Sequence, residues 1–262
     1  MKCFSTVVEI TRSSVRVLQR HRRLLAFPLL SLMVSLTAAA ILLPWLGDDD
    51  ATRSGLGLFL LFFVFELTSH FFSAALTAEA LRALRGQQTS VAGGLGCAAA
   101  HGKAVAGLAG IAATVGTVAS WFGSGRGRAS RLMGQLVGGA WQSVSYLALP
   151  VMIAERRGSY DSLVRSGRLL RQTWGETAIA ELGLRVITVH LVLITIVLCA
   201  ILAEILEEPL VLAIAICFLL ACMVVLSALQ AIYRAALYIF AAEGVLPGDF
   251  DTPAMNEVWR VK

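Results

Sequence analysis

Apolar runs of about 20 residues leave a chain few folds, because a helix of that length matches the hydrocarbon thickness of a bilayer. Five such runs stand out here, at 24–46, 56–78, 133–154, 185–206 and 209–233 or beyond, and the alanine- and glycine-rich stretch 104–122 makes a weaker sixth. The chain is 57% hydrophobic and 15% charged, against about 25% charged for soluble domains. The expected fold is an all-α polytopic membrane bundle of six transmembrane helices, paired as three hairpins. It forms one domain over 1–243, and a short tail, 244–262, has little to fold it. The first run is longer than the roughly 7–15 apolar residues of a signal-peptide core, so it should remain as an anchor.

A short amphipathic basic segment precedes each expected hairpin. In residues 3–23, Phe4, Val7, Val8, Val15 and Leu18 share one helical face, and Arg12, Arg16, Arg20 and Arg23 lie along another. In 160–174, Tyr160, Leu163, Val164, Gly167, Leu170 and Trp174 fall on one side at 3.6-residue spacing, with Ser162, Arg165, Arg168 and Gln172 opposite. Leu169 and Arg171 break that pattern. The segment 90–101 is weaker and almost uncharged. A greasy face backed by arginines reads as a helix lying in the headgroup plane. Arg12, Arg16, Arg20, Arg165 and Arg168 are the candidate contacts to anionic lipid.

Charge then orients the spans. With six crossings and an internal N-terminus, most of the Lys and Arg fall on the cytoplasmic side, and Arg53, Arg126, Arg128 and Arg131 fall outside. Removing the weak span 104–122 would nearly equalise the two sides, so the positive-inside rule favours six spans in a cell membrane with both termini cytoplasmic. The net charge of +5 then points to anionic lipid headgroups and not to nucleic acid. An internal repeat agrees with this count, since each even-numbered span closes on Ala-Glu: Ala78-Glu79, Ala154-Glu155 and Ala242-Glu243. Small residues spaced one turn apart, Ala106, Gly110 and Thr114 in one span and Gly134 and Gly138 in the next, are expected to pack the spans 104–122 and 133–154 as a tight hairpin.

One span carries a polar stripe. Glu66, Ser69, His70, Ser73 and Thr77 recur on a single face of 56–78. An ionisable group in the bilayer costs about 2.5–3.5 kcal/mol on insertion scales, so the stripe should face protein or water. It reads either as a proton or ion path through Glu66 and His70, or as interhelical packing with Glu66 and His70 satisfying each other. Gln142, Ser145 and Tyr146 share a face of the fourth span, as do Ser227, Gln230 and Arg234 of the last, and both faces could line a cavity with Glu66. His190 reads as packing.

The sequence holds no H-E-x-x-H, G-x-S-x-G or Walker loop and no metal-spaced His/Cys cluster. Asp48-Asp49-Asp50 lacks a calcium-loop pattern, and the five cysteines read as small buried hydrophobes. No catalytic residue, metal site or cofactor is expected.

Phe27-Pro28-Leu29-Leu30-Ser31, the run Phe71-Phe72-Ser73-Ala74-Ala75-Leu76, Leu84-Arg85-Gly86, the span end at Pro150–Glu155, Ser166–Leu170 and Thr173-Trp174-Gly175-Glu176 resemble a group of uncharacterised six-span prokaryotic integral membrane proteins. The resemblance covers residues 10–180, with Ser73 where a more polar side chain is usual. More loosely, the plan of amphipathic segment then hairpin is similar to the membrane domain attached to some glycerophosphodiester phosphodiesterases. The resemblance implies the fold but no activity. The reading is a non-enzymatic protein that organises lipid or membrane-protein partners, including further copies of itself. The alternative is a small transporter or channel along Glu66, Ser69, His70 and Ser73.

Overall fold

The computed structural model describes residues 2–46, 55–123, 128–171, 197 and 209–250, and all regular structure among them is helical. The order is α1 (Lys2–Arg20), a 3-10 turn (Arg22–Leu25), α2 (Ala26–Leu46), α3 (Gly55–Leu84), α4 (Val91–Ala100), α5 (Gly102–Gly123), α6 (Arg128–Ser145), α7 (Ala148–Glu155), α8 (159–171), α9 (Pro209–Glu243) and a second 3-10 turn (Gly248–Phe250). Among the described residues, five stretches are long and apolar enough to cross a membrane: Arg22–Ile41, Phe59–Leu84, Gly102–Gly123, Leu132–Glu155 and Ala213–Glu243. The weak span 104–122 is thus a continuous helix of suitable length. The expected span 185–206 lies, apart from Val197, outside the described residues, as do Asp48–Asp50, His190 and Trp174.

Two helices outrun the bilayer. At 1.5 Å per residue, the 30 residues of α3 and the 35 of α9 reach about 45 and 52 Å, beyond the roughly 30 Å of oil. Their C-terminal turns emerge together at one arginine-rich end, and α1, α4, α7 and α8 add to the same buried cluster there. Ile10, Leu24, Phe27, Met152 and Leu169 are all within 2% of full burial. Outside the oil, each such side chain contributes about 1.5–3 kcal/mol of hydrophobic burial. Inside it that drive is missing, and close approach of small residues takes over: Ala74, Ala75, Ala109, Ala112 and Ala113 are buried on α3 and α5, which pack together.

Glycines close the two long helices. Gly86, at φ 73°, reverses the chain after α3, with its N–H on Ala83 O at 3.0 Å and that of Gln87 on Arg82 O at 2.9 Å. Gly244, at φ 69°, does the same after α9. The fourth crossing is interrupted. Pro150 has no N–H for the Tyr146 carbonyl and its ring crowds that oxygen, and the helix breaks at Tyr146–Leu147. The buried Leu147 N–H instead donates to Ser166 Oγ at 3.0 Å.

Four expectations change. The apolar face of α1 packs on α9 and on the turn Gly248–Phe250, so protein covers Ile10, Val17 and Leu18. That turn belongs to the segment expected to have little to fold it; Phe250 is fully buried and Asp249 pairs with Arg20 at 2.7 Å. In α8 the buried face is Ser162, Leu163, Ser166, Leu169 and Leu170, while Tyr160 is 72% exposed. The serines can turn inward because each hydroxyl bonds backbone: Ser162 donates to Gly158 O at 2.7 Å and Ser166 accepts from Leu147. The stripe Ala106, Gly110, Thr114 does not close the α5–α6 hairpin, since Gly110 looks toward Phe63 and Thr114 is exposed. Gly134 alone fits that role, 2.9 Å from Ala119 O at the position a Cβ would occupy.

Candidate functional site

Part-way along the bundle, α3, α6 and α9 line a half-open cavity of about 500 Å³, at which Ser69 and Gln142 are exposed. The stripe of α3 supplies Glu66, Ser69, His70 and Ser73; α6 supplies Trp141, Gln142 and Ser145; Tyr146 comes from the helix break; α9 supplies Gln230 and Arg234. All four candidate path residues are therefore together, and of the polar faces expected to join them Gln142, Ser145, Tyr146, Gln230 and Arg234 do so, while Ser227 lines the neighbouring cavities. Glu66 lies 13 residues before Glu79, roughly 20 Å along the helix from the arginine-rich end.

The charged groups of the cavity are treated unequally. His70 Nδ1 is 2.8 Å from the Glu66 carbonyl oxygen and 3.1 Å from Glu66 Oε2. Both neighbours are acceptors, so Nδ1 carries the hydrogen and the pair satisfies itself in part. Arg234 forms no ion pair with any described residue, Glu66 included. Its guanidinium sits 4.8 Å from the centre of the Tyr146 ring, and its Nε is buried without a hydrogen-bond partner. A cation on an aromatic face gains about 0.5–2 kcal/mol, short of what an arginine loses by leaving water.

The candidate headgroup arginines divide. Arg12 and Arg168 are exposed. Arg16 donates to Ser13 Oγ at 2.9 Å and to Asp249 O at 3.1 Å, Arg20 pairs with Asp249, and Arg165 reaches Glu155 at 3.2 Å. Three of the five thus bind protein.

The sequence did not single out the partners of the Ala-Glu repeat. Glu79, fully buried, accepts from Arg82 at 2.5 Å and from the Ser90 N–H at 2.7 Å. Glu155 accepts from Arg157 at 2.5 Å, from Arg165 and, at 3.4 Å, from the Tyr238 hydroxyl. Glu243 pairs with Arg85 at 2.5 Å. The recurrence of Glu at span ends was the available signal. Trp141 gave no polar signal and was also missed. Among the described cysteines, Cys217 is exposed and Cys97 and Cys222 are half-buried, which corrects their reading as buried hydrophobes. Burial nevertheless pushes the Cys97 thiol up, away from the reactive thiolate.

The sequence profile of a family described as a family of unknown function, DUF6159, matches residues 54–248. An uncharacterised family was expected, but the match runs well past residue 185 and leaves out the Phe27–Ser31 motif. Neither the curated proteins nor the solved structures provide a match.

Proposed function

We propose, for a chain that belongs to the DUF6159 family of unknown function, a non-enzymatic role as a small transporter or channel of the cytoplasmic membrane, with both termini inside. One observation carries the reading: a cavity of about 500 Å³ amid apolar helices, lined by Glu66, Ser69, His70, Gln142, Gln230 and Arg234. Polar groups in the bilayer normally bond across helices or to water. Of these six, only Glu66 and His70 bond each other, leaving the others to face whatever fills the space.

Osmotic swelling of proteoliposomes in glycerol, urea, glycine or acetate tests the proposal. Swelling faster than in protein-free vesicles for at least one solute, and lost when Ser69→Trp fills the cavity, is the expected result. Permeation that never exceeds the vesicle background rejects it.

A second reading, organisation of anionic lipid at the inner face, draws on Arg12 and Arg168, which are exposed while the apolar faces of α1 and α8 point into protein. It predicts that replacing both with alanine lowers the phosphatidylglycerol co-purified with the protein.

A further inference from the structure

We propose that the polar cavity is an oxyanion site anchored by Arg234; the inference rests on the solute-site reading above and names the ligand's chemistry as a carboxylate or phosphate. Arg234 lies nine residues before the end of α9, roughly 14 Å from Glu243 along the helix. It is partly buried with an orphaned Nε, and a guanidinium taken out of water needs a counter-charge. Glu66 lines the same cavity but its carboxylate accepts from His70 Nδ1, and no other described carboxylate reaches Arg234. The guanidinium lies 4.8 Å from the centre of the Tyr146 ring, and a guanidinium so placed can still take carboxylate or phosphate oxygens along its edge in a two-point fork. The buried, unpartnered Nε is one donor of such a fork. Gln142, Ser145 and Gln230 line the same wall and offer amide and hydroxyl donors to the remaining oxygens.

The oxyanion can arrive free in water or as the headgroup of an anionic lipid. A second cavity of about 380 Å³, lined largely by apolar side chains such as Leu32, Phe65, Leu220 and Val224, shares Glu66, Ser69 and Ser73 with the first and gives an acyl chain somewhere to lie beyond them.

The test uses Ser69→Cys in a background in which the native cysteines are replaced by alanine, held in phosphatidylcholine nanodiscs and labelled with N-ethylmaleimide, which needs a hydrated thiolate. Sodium phosphate or acetate at millimolar concentration should slow labelling at least threefold against chloride of equal ionic strength, or phosphatidylglycerol in the disc should do so with no added anion. The first result identifies a free oxyanion and the second a headgroup. Adding Arg234→Gln should abolish protection while labelling persists, and Arg234→Lys should keep part of it. Labelling that phosphate, acetate and phosphatidylglycerol all leave unchanged overturns the oxyanion assignment alone, and this arm needs no change at Arg234. Protection that survives Arg234→Gln overturns it too. A thiol that never labels overturns the open cavity itself, and with it the solute-site reading.

Discussion

At the arginine-rich end of the bundle every described span that closes on Ala-Glu has its carboxylate bonded to an arginine, whereas in the polar cavity Arg234 pairs with no described carboxylate. Glu79 with Arg82, Glu155 with Arg157 and Arg165, and Glu243 with Arg85 are all within 3.2 Å. Among the described residues Arg234 meets the face of Tyr146 and no counter-charge. A partly buried guanidinium with an orphaned Nε is costly without one. Pairs at the bundle end hold helices together, and the unpaired cation of the cavity is what an anion site requires.

Substitutions at the two regions should therefore part company, and the largest effect belongs to the buried carboxylate. Arg82→Ala leaves Glu79 fully buried with only the Ser90 N–H as partner. It should lose about 3 kcal/mol of stability, the usual range for an orphaned buried charge, seen as a drop in the thermal midpoint in detergent. Gly94→Ala comes next. A Cβ there would sit 2.6 Å from Phe27 Cζ and 2.9 Å from the backbone oxygen of Ala75, and overpacking of this kind costs about 2 kcal/mol. Gly96→Ala in the same helix meets nothing within 4 Å and should hold or raise stability, which makes it the control.

Ser166→Ala removes the acceptor for the buried Leu147 N–H and should cost about 1–2 kcal/mol, with faster amide exchange at Leu147 as its specific mark. Arg85→Ala breaks a pair whose side chains are both more than 40% exposed. Its effect should stay under about 1 kcal/mol and shrink further in salt.

Run length made the candidate spans legible, because the thickness of the oil is fixed. The stripe from Glu66 to Ser73 was legible for a similar reason, since helical spacing tells which residues share a face. It does not tell which helices face each other. That Gln142 from α6 and Arg234 from α9 meet this stripe is set by tertiary packing between residues far apart in the chain. The orientation of α8 failed on chemistry: Ser162 read as an outward-facing polar residue and Ser166 was assigned to neither face, but a serine that bonds backbone can be buried at little cost. Asp249 was equally hidden, because nothing local links it to Arg16 and Arg20 at the other end of the sequence.

The contrast between satisfied and unsatisfied charge is tested most directly by thermal unfolding of Arg82→Ala and Arg234→Gln side by side in the same detergent. The account predicts a clear fall in the midpoint for the first and no fall, or a rise, for the second. An equal fall in both would mean that Arg234 supports the fold as Arg82 does, and would contradict the account.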